Sequence, residues 1–177
     1  MASARLERIR LYPVKGFAGT DVETARVSDS GRLKHDRGFA LYDDGVLNGR
    51  NTEAVHGYSA SVTQGGDLAV ESPQGERVVV GFDKEGRQRL ERWLDGTGFG
   101  GTTVLRDDGR GFLDRRDRLV SVSVVSTATL REAASWFEGI GVGGMRRRLR
   151  MNIEIDGVPA FWEDRFAGDG TPDVSVG

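Results

Sequence analysis

Glycine breaks this chain about every seven residues, with 26 in 177, roughly twice average usage. Spacing of that kind points to many turns, and hence to many short strands rather than long helices. The strongest local signal is Asp44-Gly45, flanked by the apolar runs of Gly38 to Leu47, which predicts a hairpin. A second hairpin is predicted over Tyr58 to Ser72, turning at Gln64 to Asp67. Pro73-Gln74-Gly75 then turns the chain into a strand at Glu76 to Phe82. Arg5 to Tyr12, Asp21 to Val27, Thr102 to Leu105 and Leu119 to Val125 complete the predicted strands of this kind. In the last, Val120, Val122 and Val124 alternate with Ser121 and Ser123.

Two helices interrupt the strands. Asp83 suits an N-cap, and Leu90, Trp93 and Leu94 share one face of Asp83 to Leu94, although Gly86 weakens its first turn. Thr129 and Glu132 have the spacing of a capping box, followed by the stripe Leu130, Ala133, Ala134 and Phe137. Gly139 to Gly144 is expected to end that helix. Regular strand–helix–strand alternation is missing, so the fold class is mainly β with a few helices (α+β), not a doubly wound sheet. The charged, turn-rich stretch Arg106 to Arg118 is the expected boundary, dividing the chain into domains 1–110 and 111–177.

Composition excludes several chemistries. The 177 residues hold no cysteine, hence no disulfide framework, thiolate zinc site, iron–sulfur cluster or cysteine nucleophile. With His35 and His56 the only histidines, a multi-histidine metal centre is not expected. A net charge of −2 gives no general field for nucleic acid. The N-terminus lacks the apolar core of a signal peptide, and no apolar run nears the ~18 residues of a membrane span. A cytoplasmic protein without membrane attachment is the expectation.

Several constellations invite a chemical reading. Gly96, Gly98, Gly101 and Gly139, Gly141, Gly144 both match the dinucleotide pattern, which requires a strand before and a helix after. Both are expected to follow a helix and precede a strand, so they read as helix ends and turns. Arg148 to Ile155 reads as a strand with Leu149, Met151, Ile153 and Ile155 facing the core. Its other face, Arg148, Arg150, Asn152 and Glu154, suits a planar anion such as phosphate, or a solvated face with Arg–Glu pairing. An RNA surface built on Arg146 to Arg150 lacks interleaved aromatic residues. Lys15 follows Pro13 and precedes Gly16, and Lys34-His35-Asp36-Arg37 precedes a strand; each reads as a surface turn or as part of a site. As adjacent strand residues, His35 and Asp36 would point to opposite faces. Ser126 and Thr127 lie at a strand-to-helix junction, where hydroxyls and amides either cap the helix or hold an anion. Glu163-Asp164 reads as a charged turn.

In order, these pieces resemble the MOSC-domain family, the sulfur-carrier and molybdenum-cofactor proteins that include the mitochondrial amidoxime-reducing components and bacterial relatives. Tyr12-Pro13-Val14-Lys15-Gly16, His35 to Leu41, Asp44-Gly45 and Arg50 are similar to the β-barrel-like domain that precedes MOSC. Val125 to Leu130, Arg148 to Ile153 and Pro159 to Asp164 are similar to the opening of MOSC itself. The resemblance implies a β-barrel-like N-terminal domain, an incomplete MOSC barrel and a cofactor cleft between the two regions. It implies that Lys15 and Arg37 contact the pterin or its phosphate. It also implies that Thr127 and Thr129 hold the phosphate end, and that Arg150 and Asn152 face the cofactor. Gly16 stands where the amidoxime-reducing relatives carry serine, and Ala128 lacks a hydroxyl at its position. The cofactor implied is the molybdenum cofactor (molybdopterin), with pyridoxal phosphate binding a further association of the family. The activity implied is reduction of N-hydroxylated compounds or sulfur transfer, with a small-molecule substrate and an electron-donor protein as partners. The family's molybdenum-ligating cysteine has no counterpart here, so the chain reads as truncated before it and as inactive alone. Such truncation would leave an unpaired sheet edge open to self-association. A non-catalytic anion-binding or interaction module and a small RNA-binding β domain are the alternatives.

Overall fold

The computed structural model describes residues 3–29, 31–107, 112 and 122–166. The chain forms two compact units, Arg10–Ser121 and Met1–Ile9 with Val122–Gly177. The expected boundary at 110/111 falls outside the described residues.

The Arg10–Ser121 unit begins with the end of β1 (Arg5–Leu11) and the short β2 (Thr20–Val22), tied by Arg10 Nη1 to Asp21 Oδ1 at 3.1 Å. Next come β3 (Phe39–Tyr42), β4 (Ser59–Val62), β5 (Leu68–Glu71) and β6 (Arg77–Val80). Strands β4, β5 and β6 form an antiparallel meander through the two expected turns. The Asp44-Gly45 turn forms, with Asp44 at φ 51°, but its returning arm makes only a single bridge, Tyr42 to Val46. Strand β3 pairs instead with β7 (Thr103–Arg106), Phe39 opposite Arg106. The strand expected over Asp21 to Val27 shrinks to β2. Helix α1 (Lys84–Thr97) joins β6 to β7, its N-cap Asp83 accepting from Gly86 N at 2.7 Å. Glycine is required at 86, because a Cβ there would run into the Gly81 carbonyl. Leu90 and Leu94 reach a continuous apolar core with Val14, Phe17, Phe39, Leu41, Val70 and Val104, where Phe17 stacks on Tyr58 at 5.0 Å.

In the other unit, β8 (Val124–Ser126) runs parallel to β9 (Ile153–Asp156), and β9 pairs antiparallel with the start of β1, Arg5 opposite Asp156. A parallel pair needs a crossover, and α2 (Thr127–Ser135) and α3 (Val142–Leu149) supply it. Helix α2 starts three residues before the expected capping box: Ser126 is the N-cap, its Oγ accepting from Thr129 N at 3.0 Å. Leu130, Ala133 and Ala134 are buried as expected, but Phe137 is exposed. The strand over Leu119 to Val125 is described only from residue 122, and there Val125, not Val124, is the buried valine.

The largest departure is at Arg148 to Ile155. Its first two residues end a helix, because Val142, Met145 and Leu149 are spaced three and four apart and the arginines are good helix formers. Arg150 closes α3 in the left-handed conformation, at φ 54°. The strand begins only at Ile153, and the expected faces are reversed: Asn152 (1% exposed) and Glu154 (4%) are buried, whereas Leu149 is exposed and Ile153 and Ile155 are half-buried. Gly139 precedes α3, Gly141 is its N-cap and Gly144 lies within it, and a helix, not a strand, comes before them, so the dinucleotide order is still absent. Among the described residues the protein is mainly β with three α-helices, and no sheet closes into a barrel.

Candidate functional site

Lys15 and Arg37 belong to the Arg10–Ser121 unit, on two segments laid side by side. Arg37 N donates to Tyr12 O at 2.8 Å, Phe39 N to Pro13 O at 3.1 Å and Lys15 N to Phe39 O at 2.8 Å. Pro13 fits here because its missing N–H is not needed in this pairing. Lys15 is 8% exposed, beside the fully buried Val14 and Phe17. Gly16 follows at φ 91°, where a Cβ would press on Val55 at 3.3 Å, so this backbone favours glycine.

His35, Asp36 and Arg37 form a turn rather than a strand. His35 (φ 69°) and Arg37 (φ 50°) are both left-handed, a conformation costly for non-glycine residues and concentrated at functional sites. Between them Asp36 is buried: Oδ1 accepts from Tyr12 N at 2.7 Å and Oδ2 from Arg37 Nη1 at 2.9 Å. Arg32 braces the turn from behind, pairing with Asp107 and donating to Asp36 O at 3.4 Å. The His35 ring lies 4.4 Å from Phe82, and burial, then the Lys34 charge, lowers its pKa below 6.5. Two cations therefore lie on adjoining segments, Lys15 buried and Arg37 held by Asp36, a pairing of residue types that suits an anion. No group of His, Asp and Glu among the described residues is arranged to hold a metal ion directly.

Thr127, Thr129, Arg150 and Asn152 belong to the other unit; Arg150 ends α3, its N–H donating to Arg146 O at 3.1 Å, and the other three meet internal partners. Thr127 Oγ1 donates to Glu154 Oε1 at 2.9 Å. Thr129 Oγ1 lies 2.8 Å from Ser126 Oγ and accepts from Phe161 N at 2.7 Å. Asn152 Oδ1 accepts from Ser123 Oγ at 2.9 Å. Arg146 grips Glu154 with two bonds, Nε to Oε2 at 2.7 Å and Nη2 to Oε1 at 2.6 Å. Burial pushes the Glu154 carboxyl up, but bonds from Arg146 and Thr127 and the Arg146 charge outweigh it and hold it below 4.5.

Glu163, expected in a plain charged turn, sits in the 3-10 turn Trp162–Phe166 and reaches the start of α2. Its Oε1 accepts from Ser126 N at 3.0 Å, and its Oε2 is buried without a hydrogen-bond partner. Burial raises the Glu163 pKa, and the donor groups at the start of α2 more than reverse that, leaving it below 4.5. The sequence holds no local signal for this contact, which spans 37 positions. A carboxylate beside this helix start and a second on Thr127 do not fit a phosphate there, because like charges repel and the threonine hydroxyls are engaged.

No helix among the described residues is long and apolar enough to cross a membrane. No curated protein matches the sequence. The profile of the MOSC N-terminal beta barrel domain matches residues 3–139, well over half of the chain. The motifs around Lys15 and Arg37 lie within that match, and the chain belongs to the MOSC N-terminal beta barrel domain family.

Proposed function

We propose that this chain serves a molybdenum-cofactor protein, and that Lys15 and Arg37 grip the phosphate of the cofactor's pterin. MOSC N-terminal domains are linked to molybdenum-cofactor-binding MOSC proteins, which sets the class of ligand. The observation that carries the reading is the hydrogen-bonded pairing of the Tyr12–Lys15 and Arg37–Phe39 segments, with a buried lysine on one and a left-handed arginine on the other. When bound, the cofactor supplies redox-active molybdenum for oxygen or sulfur transfer. The residues of this chain bind and orient: Lys15 contributes a buried positive charge, and Arg37 presents the part of its guanidinium directed away from Asp36. The reaction class belongs to a full-length protein that also supplies the metal-ligating cysteine: reduction of N-hydroxylated compounds or delivery of sulfur, with a small-molecule substrate and an electron-donor protein.

The test is retention of pterin by the chain purified from cells that make the cofactor, read by fluorescence after acid release and oxidation. Wild type retains it, and Lys15→Ala and Arg37→Ala each lose most of it while Thr127→Val does not. A wild-type chain free of pterin contradicts the proposal. Pyridoxal phosphate, which also carries a phosphate, is the competing ligand; its displacement of pterin would broaden the site to phosphate esters in general.

A further inference from the structure

We propose that Asp36 is the positioning residue of the Lys15/Arg37 anion site, a role that rests on the reading given above. Its carboxylate joins two elements: one oxygen takes the Tyr12 amide and the other takes one nitrogen of Arg37. The Tyr12 amide is fixed by the backbone pairing, so the carboxylate is fixed, and the guanidinium is fixed in turn. The Arg37 side chain is only partly buried, and without this contact it would sample several rotamers that binding an anion would have to freeze. The residues on either side of Asp36, His35 at φ 69° and Arg37 at φ 50°, both hold left-handed backbone in this turn. Arg32 holds the same turn through the Asp36 carbonyl and Asp107.

Electrostatics and positioning call for opposite outcomes here, which makes the inference testable. Asp36→Asn removes a negative charge beside an anion site, so charge alone would tighten anion binding. Loss of positioning would weaken it. With inorganic pyrophosphate as the probe, titrated calorimetrically at fixed ionic strength, Asp36→Asn is expected to bind about tenfold more weakly than wild type, the size of one charge-assisted hydrogen bond. In an Arg37→Ala background the same substitution is expected to weaken binding no further. Pyrophosphate binding that is unchanged or tighter in Asp36→Asn, or weakened equally in both backgrounds, overturns the positioning role and leaves the anion site standing. Failure of the wild-type chain to bind pyrophosphate overturns the anion site and the role together. If Asp36→Asn does not fold, the Arg37 side-chain nitrogen resonances of the wild-type chain decide: slow guanidinium rotation supports the inference, and free rotation refutes it.

Discussion

The two units are held together by different chemistry. The Arg10–Ser121 unit has a broad apolar core drawn from β3 to β7, from α1 and from the segments carrying Val14, Phe17, Val55, Tyr58 and Phe99. The other unit has a small one, Val125, Leu130, Ala133, Ala134 and Met145, set against buried Ser126, Thr127, Thr129, Asn152 and Glu154. Apolar burial stabilises without regard to direction. A buried polar network stabilises only while each member keeps its partner. The first unit is therefore expected to fail by loss of volume, and the second by loss of a charge or a hydrogen bond.

The largest effect is expected from Leu90→Ala, which opens a cavity in the apolar core and costs about 3 kcal/mol in denaturant unfolding. A cost under about 1 kcal/mol would show a core looser than described. Next is Glu154→Gln, which keeps volume but leaves Arg146 without its anion, at about 2 kcal/mol. Hydrogen exchange should locate that loss at β8 and β9, and a loss confined to β4, β5 and β6 would break the contrast. Ser126→Ala removes the α2 cap and is expected to cost about 1 kcal/mol, read by exchange at the first turn of α2.

The smallest effects come from pH, and they separate the units. The Glu154 and Glu163 pKa values are lowered from 4.5. A group whose folded pKa is depressed contributes stability above its unfolded value and loses it as pH falls through the folded one. The unit carrying them should hold that contribution above pH 4.5 and lose it below. The same sign applies to His35, lowered from 6.5, so the other unit should soften slightly as pH falls below 6.5. His35→Gln should abolish that shallow step, and its persistence would assign it to another group.

How much was legible follows the same division. The β4–β5–β6 meander and α1 were readable because their signals are local: alternation, turn glycines and an aspartate cap. The partner of β3 was not, since its pairing with β7 joins Phe39 to Arg106 across most of the unit. Helix α3 is hidden in the sequence because Arg148, Arg150 and Asn152 imitate strand alternation and the glycines at 143 and 144 imitate a breaker; the Val142, Met145 and Leu149 spacing carries the helical signal. At the site, the resemblance pointed to Lys15 and Arg37, but the role of Asp36 depends on the Tyr12 amide arriving from 24 positions away. Glu163 reads as a charged turn for the same reason, its partner Ser126 lying 37 positions away.

The central claim is that the anion site lies at Lys15 and Arg37 and not at the start of α2. Residue-resolved amide shifts during a pyrophosphate titration of the full chain test it directly. Saturable shifts at residues 14–16 and 35–38, with residues 127–129 unmoved, are the expected result. Saturable shifts at 127–129 with 14–16 and 35–38 silent would contradict it.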